Sequence, residues 1–310
     1  MKEISESAIK KMLKKEYGLS NVKLFRLQGF FDQNYKVTAP GKKLFLKIYR
    51  EDSKSIVKFQ IDFIKKCQAA GLPVAKIIPT LEGGDQTLIA DYPATLQEFL
   101  PGKKFNSLPK TLPLFKHAGS ILGKIHQLTS QETFVGKTKK VVPWDLAQFN
   151  TVVSNYKKVE SHLSPRLAAL VLAVFKTWKL EKSELKKLKQ GIIHGDYHAA
   201  NILGIESKIT AVTDFADANY SWYMADVAIA LTHLVYWSKG VKPEPAVKAF
   251  LIGYTKYFPL PEQERKCLPL LVKMRSATVI VEGIRHYADS KKKWSKNWLK
   301  EPAQLIEDFS

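Results

Sequence analysis

The stretch Ile192 to Asp217, IIHGDYHAANILGIESKITAVTDFAD, gathers the side chains best suited to chemistry. His194-Gly195-Asp196 is followed five residues later by Asn201, and Asp214 lies at the end of the apolar run that begins at Ile209. A carboxylate at that spacing from a carboxamide suits phosphoryl transfer. The Asp accepts the proton of an attacking hydroxyl and aims it, while the Asn oxygen ligates Mg²⁺, a hard cation that takes oxygen donors. A strand-loop-strand hairpin through Asn201 to Asp214 would bring a second carboxylate to the same ion, which neutralises charge on the phosphates. Asp196 is therefore the expected catalytic group, and Asn201 and Asp214 are the expected metal ligands. His194 alone would read as a satisfied core histidine, and it is given a structural role.

Two more carboxylates follow. Asp217, three residues past the second ligand, is expected on the acceptor side, where it could pair with an amine. Asp226, in Tyr223-Met224-Ala225-Asp226, reads either as a brace for the catalytic loop or as an acidic charge at a helix N-terminus, and a structural role is expected. Trp222 and Tyr223, with Trp237 and Tyr287, would suit an aromatic wall around a cationic acceptor; packed core is the other reading of aromatics at helical spacing.

These residues need elements to hold them. The first 18 residues have the pattern of an amphipathic helix stopped at Gly18. Val22 to Leu27, Tyr35 to Ala39 and Lys43 to Tyr49 read as an antiparallel meander, and Ser53 to Ala70 as a helix ending at Gly71-Leu72-Pro73. Gln86 to Tyr92 and Leu96 to Leu100 read as further strands before Pro101-Gly102. Long helical patterns then cover Pro113 to Leu128, Trp144 to Val159, Pro165 to Gln190, Tyr223 to Lys239, Pro245 to Tyr257 and Glu262 to Ala288. The only strand patterns in that half are Gly191 to His194, Ile202 to Gly204 and Ile209 to Phe215. The expected organisation is an α+β fold: a small sheet-bearing lobe over 1–97, a hinge over 98–102 and a larger, mainly helical lobe over 103–310. Glu98 and Leu100 would meet a nucleotide base at the hinge, largely through backbone.

With 310 residues, 45% of them apolar, the chain can build a packed core. No apolar run reaches the roughly 20 residues of a membrane-spanning helix. The N-terminus lacks the apolar core of a signal peptide, so a cytoplasmic location is expected. Cys67 and Cys267 are far apart and outside any metal-ligand spacing, which argues against disulfides and zinc. The formal charge of +20 raises the possibility of a polyanion partner. Yet the excess is almost all Lys, scattered along the chain, whereas phosphate and base readers favour the Arg fork. A solvated surface is the reading adopted, with Lys291-Lys292-Lys293, beside Trp294 and Trp298, the one local basic patch.

The segment His194 to Asn201, with Asp214-Phe215 after an apolar strand, closely resembles the aminoglycoside phosphotransferase and choline kinase superfamily, nearest in pattern to its homoserine kinase-like and hydroxylysine kinase-like members. The resemblance extends over nearly the whole chain. Gly29-Phe30-Phe31-Asp32-Gln33-Asn34-Tyr35 is similar to the family's phosphate loop, although a plain hairpin turn would read the same, and this implies nucleotide contacts from Gly29 and Asn34. Phe45-Leu46-Lys47-Ile48 resembles the strand bearing the ATP lysine, with an exposed-face lysine as the other reading. Leu122 to His126 resembles a core helix and Phe250 to Tyr254 a C-terminal motif. The resemblance implies a bilobal protein kinase-like fold and an ATP- and Mg²⁺-dependent kinase acting on a small molecule such as an amino alcohol, a hydroxy amino acid or an aminoglycoside.

The sequence departs from that pattern at Gln60, where the family usually places the glutamate that pairs with the ATP lysine. Gln60 would hydrogen-bond Lys47 less firmly, and Gln60→Glu is expected to strengthen nucleotide use. A catalytically weak nucleotide-binding regulator of the same fold is the rival reading. A protein kinase acting on peptides is disfavoured, because only about a dozen residues separate Asp214 from Asp226, too few for an activation segment.

Overall fold

The computed structural model describes residues 3–27, 29, 32–131, 142–288 and 296–309. It divides into two compact units, residues 1–102 with 210–216, and residues 103–209 with 217–310.

The first unit opens with α1 (Glu6–Tyr17), whose N-cap Ser5 accepts from the Ala8 amide and whose C-cap Gly18 is left-handed. Strands β1 (Lys23–Leu27), β2 (Gln33–Ala39) and β3 (Lys42–Ile48) form the expected meander. Helix α2 (Lys54–Ala69) follows, then β4 (Ile77–Ile78), β5 (Thr87–Ile89) and β6 (Tyr92–Glu98). The sheet order is β1-β2-β3-β6-β4, with β5 paired to β6. Alternating burial along β2 puts Tyr35, Val37 and Ala39 into one core with Leu44, Leu46 and Ile48 of β3 and with Ile9, Met12 and Leu13 of α1. Residues 210–216 complete this unit: the Val212 amide donates to the Pro73 carbonyl at 2.7 Å, and Phe215 meets Phe63 edge-on at 5.1 Å.

One expected strand in this unit is a hairpin. Gln86 to Tyr92 contains a turn at Ala90-Asp91, both at positive φ, joining β5 to β6 with Ile89 opposite Tyr92. Two positive φ values in a two-residue loop fit the right-handed twist of the strands, and neither residue is the Gly that would announce it.

The second unit is mostly helical. It contains β7 (Lys103–Lys104), α3 (Leu112–Thr129), α4 (Phe149–Val159), α5 (Pro165–Leu185), β8 (Gln190–Ile193) and β9 (Ile202–Ile205). Strand β10 (Lys208–Val212) runs into the segment 210–216, and β11 (Asn219–Trp222), α6 (Tyr223–Ala230), α7 (Pro243–Thr255), α8 (Glu262–Lys266), α9 (Leu268–Ala288) and α10 (Lys300–Asp308) complete it. Helices α3 and α7 touch through small residues: a Cβ on Gly119 would lie 2.0 Å from the Phe250 carbonyl oxygen, and one on Gly253 would lie 1.9 Å from that of Lys116. The helix expected over Glu262 to Ala288 is broken at Cys267. Pro269 has no amide to bond back to Arg265, so the ladder restarts. The helix expected over Tyr223 to Lys239 loosens into a π turn at Leu231–Tyr236. Strand β11, paired antiparallel with β8, was not expected. Among the described residues, no helix is long and apolar enough to cross a membrane.

Candidate active site

In the first unit the chemistry centres on Lys47, opposite Asn34 of β2 and Thr95 of β6. Its side chain is buried, and Nζ lies 2.6 Å from Asp214 Oδ1 and 3.1 Å from Asp32 Oδ2. Burial opposes the charge, but the two carboxylates outweigh it and hold the ammonium well above the ordinary lysine range. Lys47 also sits 5.2 Å from the ring centroid of Tyr49, whose phenol is pushed up to about 12 by burial. An exposed-face lysine does not describe this position.

The two carboxylates differ. Asp32 is mostly buried, and its Oδ1 accepts the Arg50 amide at 3.0 Å. Asp214 is 44% exposed and adopts a left-handed φ of 62°, an unfavourable backbone for a non-glycine that tends to mark functional sites. Gln60 is buried, but its amide donates to Asp52 Oδ2 at 2.7 Å and to the Ala216 carbonyl at 3.4 Å. The expected Gln60–Lys47 bond is therefore replaced by other partners on both sides.

Gly29 lies so close to β2 that a Cβ would sit 2.8 Å from Asn34 Nδ2 and 2.5 Å from the Asp32 carbonyl oxygen. Phe30 and Phe31 of the same loop lie outside the described residues. Glu98 ends β6 with its amide on the Lys76 carbonyl at 2.8 Å, and Leu100 follows before Pro101-Gly102.

In the second unit the loop after β8 is pinned from α6. Asp226, fully buried, accepts the His194 amide at 2.7 Å and the Gly195 amide at 2.8 Å, and His126 links it to the Tyr254 hydroxyl. Gly195 needs its φ of 80°, and a Cβ there would lie 2.2 Å from the Asp217 carbonyl oxygen. His194, also buried, accepts the Asp196 amide on Nδ1 at 3.2 Å.

Asp196 emerges from this brace with three partners. His198 Nε2 is 3.0 Å from Oδ2, Asn201 Nδ2 donates to Oδ2 at 2.8 Å, and Arg275 Nη2 stands 3.6 Å from Oδ1. Burial alone would raise its pKa, but His198 and then Arg275 hold the carboxyl well below the usual carboxylate range. The bonds from Asn201 Nδ2 to Asp196 fix the orientation of the amide, leaving Oδ1 as the atom suited to a hard cation. Among the described residues no three His, Cys, Asp or Glu side chains group to hold a metal.

Asp217 Oδ2 accepts the Trp144 indole N–H at 3.0 Å. Trp222 and Tyr223 are buried, with the Tyr223 ring 4.8 Å from His126 and 4.7 Å from Phe258. Burial of both matches packed core, the other reading of aromatics at this spacing. Trp237 stands edge-on to His233 at 4.2 Å. Lys291 to Lys293 and Trp294 lie outside the described residues, as does the side chain of Tyr287, while Trp298 packs on Gly283.

Sequence reasoning missed Asp32, His198, His233 and Arg275. Arg275 carried a signal, as one of few arginines in a lysine-rich chain and set inside the apolar run of α9. His233 is half-buried, and its pKa is pushed well below the ordinary histidine range, first by desolvation and then by Arg275. Its Nε2 accepts the Arg275 Nε–H at 3.2 Å, so the neutral ring carries its proton on Nδ1.

The loop after β8 presents a carboxylate and an oriented carboxamide, and the first unit by itself holds a buried lysine between carboxylates; these are side chains of the types that phosphoryl transfer uses. Comparison with known proteins agrees. Residues 24–265 match the phosphotransferase enzyme family, and the chain belongs to it. It is 27% identical over 267 residues to a homoserine kinase of Caulobacter sp., covering 83% of this chain and 79% of the relative. It is 23% identical to the hydroxylysine kinase of Bos taurus, covering 89% and 81%. Its fold matches an amicoumacin kinase solved with AMP-PNP, Ca²⁺ and Ami, with a TM-score of 0.75 and 21% identity over 98% of this chain and 94% of that one. The α+β, kinase-like fold expected from sequence is thereby established.

Proposed function

We propose that this phosphotransferase moves the γ-phosphate of ATP to a hydroxyl of a small acceptor, an amino alcohol, hydroxy amino acid or aminoglycoside-like molecule. Asp196 orients the acceptor hydroxyl and takes its proton, Asn201 and Asp214 ligate Mg²⁺, and Lys47 steadies the nucleotide phosphates. Gly29 and Asn34 contribute to the phosphate loop, and Glu98 and Leu100 meet the base. Asp217 faces the acceptor, while His194 and Asp226 hold the loop. Mg²⁺ would neutralise charge developing on the phosphates.

The observation that carries this reading is the state of Asp196, kept anionic by His198 and Arg275 on a loop whose amides are tied to Asp226. A carboxylate so held can accept a hydrogen bond from the acceptor hydroxyl and aim it without leaving its place, a role that needs no high basicity. Naming of the relatives as homoserine and hydroxylysine kinases, and the AMP-PNP and Ca²⁺ in the structural neighbour, support the acceptor class and the use of nucleotide with a divalent ion. The free thiols of Cys67 and Cys267 support a cytoplasmic site of action.

The test is a library of hydroxylated amines, amino acids and antibiotics incubated with ATP and Mg²⁺, with products detected by mass. A phosphorylated acceptor is expected, and Asp196→Asn should lower its turnover by about 10²-fold or more while nucleotide affinity stays within a fewfold. Nucleotide binding without any product across the library would instead favour a regulatory protein.

A further inference from the structure

Lys47 is enclosed by two carboxylates, yet the helix position that should supply its partner is Gln60, which is turned to Asp52 and the Ala216 carbonyl. The two carboxylates cannot share one duty. Asp214 is exposed, in a strained backbone, and carries the proposed metal role, so its contact with Lys47 competes with a cation. Asp32 is mostly buried and its other oxygen is tied to the Arg50 amide. Arg50 is itself fixed, its Nη1 on Gln33 Oε1 at 3.1 Å and its guanidinium 3.8 Å from the Tyr92 ring centroid. Gln33 in turn accepts the Ile4 amide, so the anchor extends into the α1 side of the core.

We propose that Asp32 is the positioning residue for Lys47, a carboxylate from the phosphate-loop side that does the work the helix glutamate is absent to do. With Asp32 in place, Lys47 keeps its direction when Asp214 turns to the metal, and its remaining donors are aimed at nucleotide phosphates. Charge-assisted bonds are stronger than neutral ones, so an amide at position 32 would hold the ammonium less firmly. This rests on the proposed function, because it presumes that Lys47 meets phosphate.

The experiment compares binding of Mg·AMP-PNP and of adenosine, which has no phosphates, to the full chain and to Asp32→Asn by calorimetry. Asn is isosteric and can still accept the Arg50 amide, and a melting curve checks its fold. The expected result is roughly tenfold weaker AMP-PNP binding with adenosine affinity unchanged. Asp32→Glu, which keeps the charge, should stay closer to wild type than Asp32→Asn. Equal weakening of both ligands would mean that Asp32 merely supports the fold, and unchanged or tighter AMP-PNP binding would mean that it does not anchor Lys47; either overturns the proposal alone. A wild-type chain that binds no AMP-PNP would overturn this proposal and the proposed function together.

Discussion

At the scale of single residues, Gln60 donates to Asp52 and to the Ala216 carbonyl. The residue types and spacing of Asp196, Asn201 and Asp214 marked them as candidates, because phosphoryl transfer needs a carboxylate for the hydroxyl and oxygen donors for a hard cation. Gln60 shows the limit. Its sequence position suggested that Glu would strengthen nucleotide use, but its amide donates to Asp52 in a buried setting. A carboxylate there would lose both donors and face another carboxylate, so Gln60→Glu should instead destabilise the protein by about 1–3 kcal/mol, read from denaturant midpoints. His233 allows a pH prediction. Its native pKa is depressed by burial, whereas the unfolded chain binds a proton near about 6.5. Below that pH the unfolded state holds more protons, so stability falls as pH drops, by up to about 1.4 kcal/mol per unit from this group. Melting curves between pH 7.5 and 5.5 should show the decline, and His233→Gln should flatten it.

At the scale of elements, strong periodicity found the helices and the meander, and errors gathered where a backbone feature had no signature in the pattern. The Ala90-Asp91 turn lacks glycine, and β11 is only four residues long, ending just before the helix expected from Tyr223. Pro269 did carry the break between α8 and α9, but the long apolar pattern of α9 masked it. Where the sequence offers glycine inside a helix, the structure shows close backbone contact. The crossing of α3 on α7 leaves no room for a methyl group at Gly253, whose Cβ would overlap the Lys116 carbonyl. Gly253→Ala should therefore lower stability, despite better helix propensity, by about 1–3 kcal/mol in denaturant unfolding. A neutral or stabilising outcome would show that the two helices can separate slightly at no cost.

At the scale of the whole molecule, composition suggested a sheet-bearing part before Pro101-Gly102 and a helical part after it. What linear reading could not show is that residues 210–216 belong with the first part. Residues 1–102 alone lack the partner of the Pro73 carbonyl, the Phe215 ring against Phe63 and one of the two carboxylates on Lys47. Expressed as a fragment, 1–102 should unfold without a sharp transition, and appending 210–216 through a flexible linker should sharpen it, as followed by circular dichroism. The same feature sets a timetable for biosynthesis. A ribosome releases Lys47 early, with only Asp32 to neutralise it, and must translate all of 103–209 before Asp214 emerges. The nascent chain therefore carries Lys47 with only one of its two carboxylate partners until Asp214 is made, and the N-terminal part is closed by a late-arriving segment.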